Sequence, residues 1–309
     1  MGVFRSRAIV RMAGGMLFVI SLLADSSGFA QSTRARDAAL VEAIRATSTP
    51  VEAGHAVLWV ENGSLTPEEI TAFAAQVEEG ADAIRAYLGE NLDIPGGNAC
   101  KVEFYIATNA PAPKTAGVHE PWMFIPSRMV RRGNAPYLHE MVHVMAQWSW
   151  RSSEWAGEGF ADHVAAAVLP RINGYHRSRI LPNGLDDLHR HLDSEPGRAM
   201  FPLIGVAGRR ESYAAGHEPV FRLTLDQRAT YAPPFYSFAW SFTDFLIARY
   251  GVGGFRRIAT AGDQDVVAHE LAGVPMAALR QEWLDAIGVG RNQTVQDGLD
   301  TSAHGSRLH

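Results

Sequence analysis

The chain has 309 residues with a formal net charge of −5; 47% of them are hydrophobic and 20% charged. This excludes a mostly disordered chain, a collagen and a multi-span membrane protein, and the negative charge offers no general attraction to nucleic acid or anionic lipid. Cys100 is the only cysteine, so no intrachain disulfide is possible and the fold depends on its core.

Arg5, Arg7 and Arg11 precede an apolar run from Met12 to Ala24, and small residues follow at Gly28 and Ala30. That is the layout of a secretory signal peptide over residues 1–30, with cleavage expected after Ala30. The run falls short of the roughly 20 residues that a spanning helix needs. The mature chain is therefore expected to be secreted or periplasmic, with no stable membrane insertion after signal removal; an uncleaved N-terminal anchor is the other reading.

Residues 32–48 read as a helix with Ala39, Leu40, Ala43 and Ile44 on one face. His55 to Val60 predicts a strand that ends in a turn over Glu61 to Ser64. Thr66 as cap, Pro67 in the first turn and Glu68 and Glu69 near the positive end of the dipole predict a helix to about Gly89. Lys101 to Ala107 alternates as a strand does, and Trp122 to Pro126 is a further strand candidate. From Asn134 the pattern is mostly helical as far as about Ile287, whereas residues 290–309 are polar and aperiodic and predict a disordered tail. An α/β part over 31–133 thus precedes a helical part over 134–289.

The helical part opens with the informative segment. Asn134 can cap a helix and Pro136 suits its first turn, while Leu138, Val142 and Met145 form a buried stripe. His139 and His143 are four residues apart, so their rings project from one side of the helix. Two imidazoles at this spacing suit Zn²⁺, and Glu140 between them can accept a proton from water that the metal activates. A catalytic zinc needs a third protein ligand and one open position. Glu158 follows fifteen residues after His143, in Trp155-Ala-Gly-Glu158-Gly-Phe-Ala. Arg151 to Ser153 reads as a turn, with Ser153 capping a second helix that turns Glu158 back toward the histidines. Asp162, one helical turn further, can hydrogen-bond the distal nitrogen of a ligating ring and fix its orientation.

These two segments, His139-Glu140-Met-Val-His143 and Trp155-Ala-Gly-Glu158-Gly-Phe-Ala, resemble the gluzincins, the thermolysin-like clan of zinc metallopeptidases. The resemblance implies that His139, His143 and Glu158 are zinc ligands, that Glu140 is the general base, and that Asp162 is the clan's outer acid. Tyr236 to Gly251 is similar to a helix of bacterial gluzincin-type peptidase domains, and Phe255 to Ile258, Asp263 to Leu271 and Met276 to Ile287 continue in the same order. The likeness spans roughly residues 116–287. The stretch between His143 and Glu158 is shorter than in the best-known members, so a tight connection is expected, and no signature for gripping a substrate amino terminus is present.

The expected fold is zincin-like α+β: a small N-terminal sheet with helices, an HExxH helix as the floor, and a mainly helical C-terminal lobe. Substrate is expected to lie along an edge strand formed by Trp122 to Pro126. The expected activity is hydrolysis of a peptide or protein by zinc-activated water. A zinc-containing binding or assembly domain, or a zinc hydrolase of a non-peptide amide such as cell-wall material, are the alternatives.

An oxyanion donor is also needed. Tyr236, at the expected start of its helix, is the first candidate, with Tyr231 and His217 as alternates; a half-buried core tyrosine is an equal reading. His163 either approaches the metal or is an ordinary polar residue of the second helix. Trp148, Trp150 and Trp155 either line a cleft or pack between helices. Asp263-Gln-Asp265 is too short for a Ca²⁺ loop, and His189 and His191 read as loop residues.

Overall fold

A computed structural model describes residues 35–111, 114–115, 120–169, 185–205 and 225–289; the expected signal segment and tail lie outside them. It has a mixed α+β architecture. The chain divides into two compact units, residues 1–147 with 164–178 and residues 148–163 with 179–309.

The first unit is built on a five-stranded sheet of order β1-β2-β3-β5-β4. Its strands are β1 Ser48–Glu52, β2 Ala56–Glu61, β3 Val102–Ala107, β4 Lys114–Thr115 and β5 Trp122–Pro126. The central pairs β2–β3 and β3–β5 are parallel, and the outer pairs β1–β2 and β4–β5 are antiparallel. In β2 and β3 the side chains alternate between two faces. Leu58, Val102, Phe104 and Ile106 are buried on one, and Tyr105 and Ala107 on the other.

Helix α1 (residues 35–46) covers the second face, its Val41 and Ile44 packing with Tyr105, Ala107, Ala110 and Phe124. It is followed at once by β1, where a longer helix was expected; β1 is short and carries Pro50, a residue tolerated at a sheet edge. Helix α2 (Pro67–Leu88) begins with a complete capping box, Thr66 Oγ1 accepting from the Glu69 amide and the Glu69 carboxylate accepting from the Thr66 amide. Its Phe73 meets the first sheet face edge-on at Phe104. Strand β5 is formed as expected but is not an edge: β4 pairs with it at Met123 and Phe124. A two-residue strand leaves no alternation to read in sequence. A short α3 (Ser127–Arg131) leads from β5 toward α4 (Tyr137–Met145).

In the second unit the aromatic side chains form the core. Helix α5 (Glu154–Val168) contributes Trp155 and Phe160, and the short helices α6 (Leu185–Asp193) and α7 (Glu195–Met200) follow. Helix α8 (Leu225–Thr260) contains Pro233 and Pro234 and breaks at Gly251, whose φ of 66° and ψ of 174° are not helical. Trp148 packs on Phe160 at 4.6 Å, Trp155 on Phe242 at 5.2 Å, and Phe255 stacks on Phe160 at 5.6 Å between ring centroids. Helix α9 (Gln264–Ala272) is capped by Asp263, which accepts from the amides of Asp265 and Val266, while the Asp265 carboxylate accepts from the Met276 amide at 2.8 Å. In α10 (Met276–Ala286), Trp283 is fully buried and donates to Ser241 Oγ at 3.0 Å. His189 and His191, expected in a loop, are on α6, with His189 Nε2 2.5 Å from the Ile287 carbonyl. Among the described residues, no helix is long and apolar enough to cross a membrane.

Candidate metal centre

Helix α4 carries the HExxH residues, and all nine of its residues are buried. The sequence suggests one apolar stripe; the structure instead encloses the helix on every side. Helix α2 holds it through Tyr137, whose ring meets Phe73 edge-on at 5.4 Å and whose hydroxyl donates to the Gln76 carbonyl at 3.2 Å. Asn134 does not cap this helix: Pro136 is its N-cap, and the Pro136 carbonyl accepts from the Glu140 amide at 3.2 Å. At the other end, the Asp93 amide donates to the Met145 carbonyl at 2.8 Å and the Gln147 amide to the Asp93 carbonyl at 2.9 Å. Asp93 braces the end of the helix from 52 residues before Met145 in the chain, a contact with no local sequence signal.

His139 and His143 are 9% and 4% exposed, and their Nε2 atoms approach to 3.2 Å. Around an ion with metal–nitrogen bonds of about 2.0–2.1 Å, two tetrahedral donors stand about 3.3–3.4 Å apart. The two rings, tilted 83° to each other, therefore have the spacing of a pair that shares one tetrahedral cation. The chain then passes through a 3-10 turn, Gln147–Arg151, into α5, the tight connection that the short spacing requires. Ser153 lends α5 its carbonyl, which accepts from the amides of Ala156 and Gly157. Its hydroxyl makes no hydrogen bond among the described residues, so it is not the expected side-chain cap.

On α5, half-buried Glu158 completes a group with the two histidines: one ligand atom from each of His139, His143 and Glu158 lies within 4.8 Å of the other two. Two imidazoles and one carboxylate with a fourth position left over form a donor set that suits a divalent transition ion. Glu140 sits on the same helix as the imidazoles and is only 8% exposed, and Asp162 is fully buried one turn beyond Glu158. Carboxylates so far out of water need compensating charge or hydrogen bonds.

The remaining candidates separate. His163 turns away to Asp244 of α8, with Nδ1 3.0 Å from Oδ1, and is the polar partner of that helix. Trp148 and Trp155 are 2% and 1% exposed and belong to the aromatic core; the side chain of Trp150 lies outside the described residues. Tyr236 is half-buried with its ring edge-on to Phe235 at 5.8 Å. It sits within α8 and does not open it, because the helix runs through Pro233 and Pro234 from Leu225. The Tyr231 hydroxyl donates to Glu195 at 3.3 Å, and His217 lies outside the described residues.

No protein-family model matches the chain, and no curated protein matches it.

Proposed function

We propose that the chain is an exported zinc-dependent hydrolase of peptide bonds, with a zincin-like fold of the gluzincin kind. The convergence of His139 Nε2, His143 Nε2 and a Glu158 carboxylate oxygen, with Glu140 on the same helix as the rings, carries this reading. His139, His143 and Glu158 hold the ion. Zinc bound there supplies Lewis-acid activation of water and of the scissile carbonyl.

Glu140 takes the proton of the attacking water and delivers it to the departing amine, a transfer favoured where burial keeps a carboxylate poorly solvated. Asp162 orients a ligating ring through its distal nitrogen. Tyr236 donates to the oxyanion that develops on the substrate carbonyl. The donor set alone does not choose the amide that is cleaved; the gluzincin likeness of the two motif segments favours a peptide.

The test combines metal analysis of the purified full chain with turnover of a mixed fluorogenic peptide library. Wild type is expected to carry zinc at one equivalent in this site and to cleave, Glu158→Ala to lose that metal, and Glu140→Gln to keep it without turnover. Full activity in Glu140→Gln refutes the assigned base. Zinc without cleavage of any peptide refutes the peptidase reading.

A further inference from the structure

We propose that His55, Glu78 and Asp82 form a second divalent-cation site, for a transition ion such as Zn²⁺ or Ni²⁺. It is separate from the His139–His143–Glu158 group and independent of whether that group is catalytic. All three residues belong to the first unit, and one ligand atom from each lies within 4.8 Å of the other two.

The placement follows from two local patterns. Glu78 and Asp82 are one turn apart on α2, so their carboxylates project from one side. Glu78 borders the side where Phe73, Val77, Ala81 and Ile84 are buried, and Asp82 is exposed beyond it. His55 stands at the turn that opens β2, with its carbonyl accepting from the Val102 amide at 2.9 Å. Its Nε2 is 3.1 Å from Asp82 Oδ1, and its own amide donates to Glu78 Oε2 at 2.9 Å.

Glu78 is held in place before any ion arrives. Besides the bond to the His55 amide, its other oxygen rests against Gly54, where a Cβ would collide with it. A carboxylate fixed by a backbone amide loses little freedom on taking up a cation. The side chains of His55 and Asp82 are 37% and 65% exposed, which leaves room for water to complete the coordination.

The chemistry selects the ion class. An imidazole with two carboxylates suits Zn²⁺ or Ni²⁺ better than Ca²⁺ or Mg²⁺, which prefer oxygen alone. Two carboxylates beside one neutral imidazole carry two negative charges, matched by one divalent ion. Lys101 does not neutralise them: its ammonium is 2.6 Å from Glu52 Oε2 and 2.8 Å from the Ala53 carbonyl. An ion here would tie the start of β2 to α2, the helix whose other side supports α4.

The experiment is calorimetric titration of the full chain with ZnCl₂ and with NiCl₂ in metal-free buffer. Wild type is expected to bind two ions. His55→Ala and the milder Asp82→Asn are each expected to weaken one binding event at least tenfold and leave the other unchanged. Glu158→Ala is expected to do the reverse, retaining the event that depends on His55, and its melting temperature should rise on addition of NiCl₂. Unchanged isotherms in both His55→Ala and Asp82→Asn overturn the site, as does a folded Glu158→Ala protein that binds no ion. A wild-type isotherm that shows the His55-dependent event and no Glu158-dependent one counts against the hydrolase reading and not against this site.

Discussion

Gly159 on α5 lies directly against the main chain of Ala239 on α8. A Cβ at residue 159 would collide with the Ala239 carbonyl oxygen, and it would stand 2.6 Å from the carbonyl carbon and 2.5 Å from Thr243 Oγ1. The glycine on the other side of Glu158 is also pressed on backbone, since a Cβ at Gly157 would lie 3.1 Å from the Ser149 carbonyl oxygen. The carboxylate of the candidate third ligand is thus positioned by two close backbone approaches on either side of it.

Gly159→Ala is therefore expected to push α5 away from α8. Main chain cannot yield as the tip of a side chain does, and overpacking of this kind costs about 1–3 kcal/mol. Gly253→Ala is the matched control, because a Cβ there meets nothing within 4 Å and replacing a helical glycine gains up to about 1 kcal/mol. Urea unfolding of the two variants checks the contrast. Metal content should fall in Gly159→Ala alone, and equal stabilities would mean that α5 is not held in this way.

Glu140→Gln and Glu158→Ala are expected to fail differently. The first removes a proton acceptor, and a positioned acid–base group contributes about 10²–10⁴-fold to rate; kcat should fall by that much with bound metal unchanged. The second removes a ligand, so metal should be lost and activity with it. Excess ZnCl₂ should restore part of the activity to Glu158→Ala and none to Glu140→Gln. Rescue of Glu140→Gln by added metal would reassign residue 140 from base to ligand.

Short-range geometry was legible in the sequence and long-range geometry was not. Thr66 and Glu69 announce a capping box because its two bonds span three residues. His139 and His143 announce a pair of convergent imidazoles because helical spacing alone turns both rings to one side. The bracing of α4 by Asp93, the pairing of His163 with Asp244 and the need for glycine at 159 join residues 52 to 81 positions apart, and no local pattern marks them. The group at His55, Glu78 and Asp82 falls between these cases. The pair on α2 has the i, i+4 spacing of a ligand pair, whereas the approach of His55 depends on where the turn before β2 lies. The expectation that β5 is an edge failed for the complementary reason: β4 is too short to signal itself.

Tyr236→Phe tests the oxyanion donor. Loss of one such donor lowers kcat by about 10²–10³-fold, with KM little changed because the bond strengthens only as charge develops. A tyrosine that merely packs beside Phe235 would give the opposite pattern, with kcat retained after the hydroxyl is removed. Stability should be close to that of wild type, since the half-buried ring is retained. A kcat within threefold of wild type would remove Tyr236 from the mechanism and leave Tyr231 and His217 to be tried in the same way.

Tyr105 predicts how stability responds to alkali. Its side chain is fully buried on the sheet face that α1 covers, and its hydroxyl donates to Glu103. Arg45 reaches the same carboxylate at 2.7 Å and lies over the Tyr105 and Trp59 rings. Burial first, then the bond and the charge of Glu103, push the phenol well above its ordinary value. The folded state therefore keeps this proton at a pH where the unfolded chain has released it. The resulting stabilisation is complete below about pH 10, the value of an unfolded tyrosine, and is lost as pH rises above it. Tyr105→Phe should cost about 1 kcal/mol at pH 8 through the lost hydrogen bond. Its stability should then decline less than that of wild type between about pH 10 and pH 11.5, so the two curves converge. Urea unfolding across that interval distinguishes the outcomes: parallel curves would show that the phenol does not carry the alkaline dependence.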